Sequence, residues 1–354
     1  MVYSDYIPPN MIGTKEVVDH KLYQQLHELN LRSVYFLLNI QDIRGVKIPQ
    51  HYTHAIVSFH TEYYNYPDLI DFFKKYPKIN FLLLSDGEPS SIWPDNVTYV
   101  QWISYGYQLE LHNELHGHCQ EQHTKTQLFS SLSFREEYHK AAITAYLVNE
   151  YPGSILSWHG WSDSIPYWKI DDFSHFSRIK EYLSSSAFTE IGTVAIDSFN
   201  LDINAPLANG EWRNPAYLNC EFNLTNETIY NTKFAGGKIY TTPYLTEKTW
   251  KPLLAKQPFL PVGQANTLSF LTKLGMKFEY GFDLRYDSIQ EDFTRMEKLF
   301  ELLDELRYID DFTKARNSAG YNLEMIVSGE FNKNCIASNN AQLEKINEWI
   351  IEET

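Results

Sequence analysis

The chain has few cysteines and no long apolar segment, and both absences narrow its class. Only three of its 354 residues are cysteines, at positions 119, 220 and 335. This odd and widely spaced set predicts no disulfide framework and indicates a reducing compartment. The N-terminus lacks the basic region and apolar core of a signal peptide. No run approaches the ~18 apolar residues of a membrane helix, so we expect a cytoplasmic protein without a membrane span.

Basic residues are also scarce relative to acidic ones. Lys and Arg number 30 against 45 Asp and Glu, which gives a net charge of −15. This balance disfavours broad, sequence-independent binding of a phosphate backbone, although a local basic groove remains compatible with it. An apolar content of 43% and an aromatic content of 15% exclude disorder and favour an α/β protein with aromatic-lined clefts.

Apolar and amphipathic segments alternate along the chain, which is typical of a parallel sheet covered by helices. The pattern predicts strands at 33–39, 54–59, 80–85 and 97–103, and helices at 68–75 and 134–151. A second alternating series begins near residue 154. We therefore expect an α/β fold with one domain over 1–150, a second over 151–335, and a last helix within 336–354.

Residues 244–253, with the sequence Tyr-Leu-Thr-Glu-Lys-Thr-Trp-Lys-Pro-Leu, carry the strongest functional signal. Thr246 can cap a helix start, and Lys248 adds positive charge to an end that already attracts anions. Glu247 can accept two hydrogen bonds from a vicinal diol, so the pattern indicates a nucleotide or a nucleotide-sugar as ligand. Pro252 removes a hydrogen bond in the second turn, so either the helix restarts there or the first turn is distorted to aim Lys248.

This segment resembles the donor site of GT-B glycosyltransferases, and within them the fucosyltransferase-like group with its phage-type members. The likeness covers about residues 216–286. Its central matches are Thr246-Glu-Lys248, Lys251-Pro252, Gln257-Pro-Phe259 and Val262-Gly263. Upstream, 217–223 and 225–228 are similar to the strand and acidic turn that precede the donor site, and the match continues downstream over 267–278. It implies two Rossmann-like domains that face a cleft, with the acceptor in the first and the nucleotide-diphosphate sugar in the second. The last helix would cross back to the first domain, as it commonly does in GT-B enzymes.

The resemblance also implies roles for individual residues. Glu247 would hold the ribose hydroxyls of the donor and Lys248 its diphosphate. Thr246 and Glu227 would also bind the donor, and Glu227 lies in the acidic turn that precedes this site in related sequences. A basic helix start would neutralise the leaving diphosphate, here through Arg135 and His139, together with Lys140. A solvated Glu-Lys pair and an ordinary charged helix face are the alternatives for these two segments.

Two carboxylates follow a predicted strand in the first domain. Asp86 and Glu88 come directly after the strand at 80–85, at the edge where open α/β sheets bind ligands. Either residue is a candidate general base for an acceptor hydroxyl, although a loop of Asp, Gly and Pro is also a good turn. The chain contains no Asp-x-Asp motif. We therefore expect metal-independent transfer with a nucleotide-diphosphate sugar as co-substrate and no cofactor. The resemblance to the fucosyltransferase-like group implies that the transfer is inverting.

Three questions stay open at the level of sequence. The acceptor is either a glycan or a hydroxymethylated base in phage DNA, and the latter would place the protein in the host cytoplasm. A metal hydrolase is an alternative because His and Cys are dense at positions 112, 116, 118, 119 and 123, but their spacing does not match His-Glu-x-x-His. A non-catalytic module that binds a nucleotide-sugar or a glycan is the third reading.

Overall fold

The computed structural model describes most of the chain. The described residues are 34–38, 46–58, 66–85, 93–101, 103, 105–106, 109, 113–114, 117–120, 124–133, 137–158, 175–190, 214–231 and 242–351. Backbone contacts divide the chain into two compact units. The first comprises Met1–Leu109, Ala235–Thr242 and Phe331–Thr354, and the second comprises Glu110–Phe234 and Pro243–Glu330. The second unit thus begins before the boundary near residue 150 that the sequence predicts.

The first unit contains a parallel sheet whose strands follow their chain order, β1-β2-β3-β4. The strands are β1 (Val34–Leu38), β2 (His54–Ser58), β3 (Asn80–Ser85) and β4 (Val97–Gln101), and helix α1 (Tyr66–Lys75) connects β2 to β3. The interior residues of β2 and β3 are apolar and fully buried, as expected of parallel strands covered on both faces. These four predicted strands and the helix are confirmed, within a few residues at their ends.

The last helix, α10 (Glu330–Ile351), packs within the first unit from Phe331 onward. The side-chain amide of Asn339 accepts a hydrogen bond from the backbone N–H of Ile103 and donates one to its carbonyl, both at 2.8 Å. Gly106 lies so close to α10 that an added Cβ would be 2.7 Å from the Oδ1 of Asn332. The predicted helix is confirmed, but it begins at Glu330 rather than near residue 340.

The second unit contains a parallel sheet in the order β6-β5-β7-β8. The strands are β5 (Gln127–Ser133), β6 (Ile155–Trp158), β7 (Cys220–Asn226) and β8 (Phe259–Val262). The described helices around it are α2 (Tyr138–Glu150), α3 (Ser177–Leu183), α4 (Ser186–Thr189), α5 (Pro215–Leu218), α6 (Glu247–Leu254), α7 (Thr267–Lys273), α8 (Asp292–Leu306) and α9 (Thr313–Val327), with a 3-10 turn at Arg285–Ser288.

The strand order of this second sheet reverses between β5 and β7. From β5 the chain passes through α2 to β6 on one side, and from β7 it passes through α6 to β8 on the other side. Because such crossovers are right-handed, α2 and α6 cover opposite faces of the sheet. Open α/β sheets bind ligands at such a reversal, outside the carboxyl ends of the two strands. The carboxyl ends of β5 and β7 are therefore the place to look for a site.

Two elements of the second sheet differ from the sequence-based expectation. Strand β5 has no predicted counterpart, because four of its seven residues are Gln or Ser. The segment 217–223, which resembles a strand in related sequences, instead begins with the short helix α5, capped by Asn214, and only then enters β7. Among the helices that the structure describes, none is long and apolar enough to cross a membrane.

Candidate functional site

Helix α6 begins at the carboxyl end of β7 with the predicted cap. Thr246 has extended backbone geometry, and its hydroxyl oxygen accepts a hydrogen bond from the backbone N–H of Lys248 at 3.3 Å. The cap is therefore confirmed. The helix continues through Pro252 to Leu254, so it does not restart at the proline. Since Pro252 has no N–H, the carbonyl of Lys248 lacks its usual helical donor.

The side chains of Lys248 and Glu247 form an ion pair over this helix start. The Nζ of Lys248 lies 2.9 Å from Glu247 Oε1 and 3.3 Å from the hydroxyl oxygens of both Thr246 and Thr228. Both charged side chains keep some exposure, 28% for the lysine and 18% for the glutamate. Burial disfavours ionisation of Glu247, but Lys248 and then Lys251 outweigh it and hold its pKa at about 2. The pair is fully charged at neutral pH and reachable by a ligand.

Glu227 follows β7 and has no exposed surface. One carboxylate oxygen accepts hydrogen bonds from the backbone N–H of Thr246 at 3.2 Å and from the Thr249 hydroxyl at 2.5 Å. The other accepts from the Thr246 hydroxyl at 2.6 Å. Burial raises the pKa of Glu227, against the opposing effects of Lys248 and these hydrogen bonds. The carboxylate is thus directed at the start of α6 and not at solvent.

The start of α2 approaches the same place from the other face. His139 is buried, stacks on Tyr230 with ring centroids 5.0 Å apart, and has its Nε2 2.9 Å from the backbone carbonyl of Glu227. Burial and the neighbouring Lys140 charge lower the pKa of His139 well below its usual range. The imidazole is therefore neutral, donates from Nε2 to the carbonyl, and offers no charge to a diphosphate. Lys140 is also buried and forms an ion pair with Glu137 at 2.5 Å.

Buried polar side chains join the carboxyl ends of β5 and β7. The amide nitrogen of Asn226 lies 2.7 Å from the Ser131 hydroxyl and 2.9 Å from the Ser133 hydroxyl. We call these three residues the Ser–Asn cluster. Within the described part of the chain, the Oδ1 of Asn226 is buried without a hydrogen-bond partner. This is unusual, because an unpaired buried acceptor costs about 1–3 kcal/mol.

Two buried side chains fix the segments around the site. Gln264 accepts a hydrogen bond from the N–H of Tyr244 at 2.6 Å and donates to the carbonyl of Asn231 at 3.1 Å, so it joins the two described ends of the β7–α6 connection. Arg295 donates to the carbonyl of Tyr230 at 2.7 Å and lies over its ring, 4.4 Å from the centroid. The residues that flank Glu227 and Thr246 are therefore held by buried hydrogen bonds.

The structure brings together five of the residues that the sequence selects. All of them lie at or beside the carboxyl ends of β5 and β7: Thr246, Glu247, Lys248, Glu227 and His139. Of the others, Lys140 is buried in its ion pair with Glu137, and Arg135, Asp86 and Glu88 lie outside the described residues. Sequence reasoning missed Thr249, whose signal is its spacing of three from Thr246, and it assigned no role to Gly263.

Two of the five residues of the metal-site alternative, His118 and Cys119, lie in the described part of the chain. No group of three or more His, Cys, Asp or Glu side chains there could hold a metal ion. The Nδ1 of His118 lies 2.8 Å from the side-chain oxygen of Asn113, and Cys119 is buried. The remaining members of that group, His112, His116 and His123, fall outside the described part.

Comparison with known proteins finds no family model that matches this chain and no curated protein that matches it significantly. The function proposed below therefore depends on the chain's own residues.

Proposed function

We propose that the second unit binds a nucleoside-diphosphate sugar at the carboxyl ends of β5 and β7, and that the protein is a GT-B-type glycosyltransferase. Both units would then be Rossmann-like domains, with the acceptor bound by the first. One observation carries the proposal: the Thr246-capped start of α6, with the Lys248 ammonium above it, lies where the strand order reverses. Helix starts and sheet reversals of this kind bind phosphate groups.

The ion pair gives the site a preference for a ligand with both a diphosphate and a diol. In the free protein Glu247 and Lys248 neutralise each other at 2.9 Å. A bare anion has to compete with Glu247 for the ammonium. A nucleoside diphosphate offers Lys248 its phosphates and offers Glu247 its ribose hydroxyls, so each charged group exchanges one partner for another.

The proposed reaction is a displacement at the anomeric carbon of the sugar. The acceptor oxygen forms the new glycosidic bond while the bond from the anomeric carbon to the diphosphate breaks. Lys248 and the N–H groups at the start of α6 stabilise the charge that develops on the departing nucleoside diphosphate. The acceptor proton goes to Asp86 or Glu88, our candidates for the base. Attack opposite the leaving group inverts the configuration, and no metal or cofactor is needed.

The acceptor is a glycan or a hydroxymethylated base in phage DNA, in the cytoplasm or the host cytoplasm respectively. Turnover with oligosaccharides and with hydroxymethylated duplex DNA would separate the two. A non-catalytic binding module would bind the donor and glycosylate neither.

The test is calorimetric binding of nucleoside diphosphates to the wild type and to Lys248→Ala. Loss of one charge-assisted contact costs about 1.5–3 kcal/mol, so we expect about ten- to a hundredfold weaker binding. Lys314→Ala, an exposed lysine on α9, is the matched control and should leave the affinity unchanged. With a productive donor, turnover should persist in excess chelator. The proposal fails if the wild type binds no nucleoside diphosphate, or if both variants bind like the wild type.

A further inference from the structure

The Glu227 carboxylate accepts three hydrogen bonds at this site, although it has no exposed surface of its own. Burying a carboxylate is costly unless its oxygens are fully hydrogen-bonded. Here three donors satisfy it: the Thr246 N–H at 3.2 Å, the Thr246 hydroxyl at 2.6 Å and the Thr249 hydroxyl at 2.5 Å. All three belong to the cap and first turn of α6, so this carboxylate sets the position of the helix start.

The hydroxyl of Thr246 connects Glu227 to Lys248. A hydroxyl has one proton to donate and lone pairs to accept with. Because the proton goes to Glu227, the lone pairs of Thr246 are left for the backbone N–H and the Nζ of Lys248, both at 3.3 Å. The buried carboxylate therefore determines which way Thr246 is turned, and Thr246 in turn receives the lysine.

The backbone of Glu227 ties the same residue to the rest of the site. Its N–H donates to the carbonyl of Val262 at 3.0 Å, at the end of β8. Its carbonyl accepts from the Nε2 of His139, in the first turn of α2, at 2.9 Å. One residue thus links the ends of β7 and β8 to the starts of α2 and α6.

Gly263 makes room for this arrangement. A Cβ at position 263 would lie 3.3 Å from the Cβ and 3.4 Å from the Cγ of Glu227, and the shorter distance is tighter than most Cβ contacts, so Glu227 would have to move slightly. Its backbone is not in the left-handed region, so conformational freedom does not require a glycine here. The limited space beside Glu227 is what favours a glycine at this position.

We infer that Glu227 is a positioning residue that orients Lys248 through Thr246, with Gly263 providing the space, and that it does not contact the ligand itself. The sequence instead predicts it as a donor-binding residue. The effect on ligand affinity rests on the proposed function, whereas the effect on the first turn of α6 does not.

The first experiment measures pyrophosphate and nucleoside diphosphate affinity in Glu227→Gln. The glutamine amide would donate where the carboxylate accepts, and so compete with Lys248 for Thr246. We expect about five- to fiftyfold weaker binding, and we expect Lys248→Ala to abolish this effect in the double variant. Additive losses would show that Glu227 does not act through Lys248 and would overturn the inference.

Controls separate positioning from general destabilisation. Tyr280→Phe removes a buried hydrogen bond to the Phe259 carbonyl, 3.2 Å at the other end of the sheet, and should lower stability without changing affinity. Thr249→Val removes the hydroxyl that contacts Glu227 and should weaken binding, whereas Thr249→Ser keeps this hydroxyl and should weaken binding less. Gly263→Ala displaces Glu227 without altering charge and should weaken binding too. These milder variants decide the question if Glu227→Gln does not fold.

Hydrogen exchange provides a readout that needs no ligand. In Glu227→Gln the amides of residues 246–250 should exchange at least about tenfold faster than in Tyr280→Phe, because the first turn of α6 has lost its anchor. Unchanged protection there would overturn the inference even if the wild type binds nothing. Faster exchange together with absent nucleotide binding would keep the positioning role and reject only the proposed function.

Discussion

The two parallel sheets differ in both strand order and polarity. In the first unit β1 to β4 follow one another, and the interiors of β2 and β3 are apolar throughout: Ala55–Val57 and Phe81–Leu84. In the second unit the order reverses between β5 and β7, and those two central strands carry buried Ser and Asn side chains. A sheet whose strands follow their chain order needs only apolar residues in its interior. A reversal opens a crevice beside the strand ends, and the polar residues of the second sheet are concentrated next to it.

Buried carboxyl groups follow the same division. Among the described residues, the buried carboxyl side chains are Glu227 and Asp287, both in the second unit. Each of them accepts a hydrogen bond from a helix start. Glu227 accepts from the Thr246 hydroxyl at the start of α6, and Asp287 accepts from the N–H of Leu268 in α7 at 3.0 Å. The second sheet therefore uses buried charge to position helix ends near the site. Charge reversal or neutralisation should affect the second unit and leave the first unchanged.

The largest effect on stability should come from replacing a buried polar residue of the second sheet by an apolar one, as found in the first sheet. Asn226→Ala removes the amide that joins Ser131 and Ser133, leaves a small cavity, and should lower the stability of the second unit by about 2–4 kcal/mol. Unit-specific hydrogen exchange in denaturant measures this. Adding Ser131→Ala and Ser133→Ala should cost little more, because the unpaired hydroxyls are then gone. If the losses from Asn226→Ala and from the two serine substitutions simply add in the triple variant, the cluster contributes nothing as a unit.

The same contrast explains which elements sequence reasoning finds. Strand β3 is predicted at its observed bounds because Phe81–Leu84 is an uninterrupted apolar run in a sheet covered on both faces. Strand β5 is missed because its serines look like a loop, and only their pairing with Asn226 across the sheet makes their burial favourable. Patterns within one segment do not report a partner that lies about 90 residues away in the chain.

The site was predictable in part for similar reasons. Thr246, Glu247 and Lys248 lie next to each other in sequence, so a helix cap and a basic first turn could be recognised locally. The role of Glu227 could not be recognised locally. It depends on a carboxylate at the end of β7 that accepts hydrogen bonds from Thr246 and Thr249 at the start of α6. The neutrality of His139 is likewise a consequence of burial, which no local pattern determines.

A smaller effect concerns the pH dependence of the two units. Burial raises the pKa of Asp287 to about 7, although hydrogen bonds from the start of α7 and the charge of Arg295 favour its ionised form. The folded unit therefore retains a proton that the unfolded chain loses near pH 4. Its contribution to stability is present at acid pH and declines as the pH rises towards 7.

Asp287→Asn removes this titration and keeps an acceptor for the N–H of Leu268. Relative to the wild type, the variant should gain about 2–3 kcal/mol in the second unit between pH 5 and pH 8. Chemical denaturation followed by hydrogen exchange at both pH values checks this, with the first unit as internal reference. A difference that does not change with pH would show that Asp287 is ionised throughout.

The smallest effect tests whether the crevice of the second sheet recognises a diol as well as an anion. Glu247→Gln frees Lys248 from its ion pair, so bare pyrophosphate should bind about two- to fivefold more tightly, the usual worth of an exposed pair. A nucleoside diphosphate should bind about two- to fivefold more weakly, because the neutral amide is a poorer partner for the ribose hydroxyls.

The affinities for the two ligands should change in opposite directions. This makes the test decisive, since a purely electrostatic effect would increase the affinity for both. A 2′,3′-dideoxynucleoside diphosphate is the matched control, and it should behave like pyrophosphate because it lacks the diol. Isothermal titration of all three ligands against wild type and variant provides the comparison. If the variant binds the nucleoside diphosphate and pyrophosphate more tightly by the same factor, Glu247 acts only as a counter-charge to Lys248 and the ribose must be recognised elsewhere.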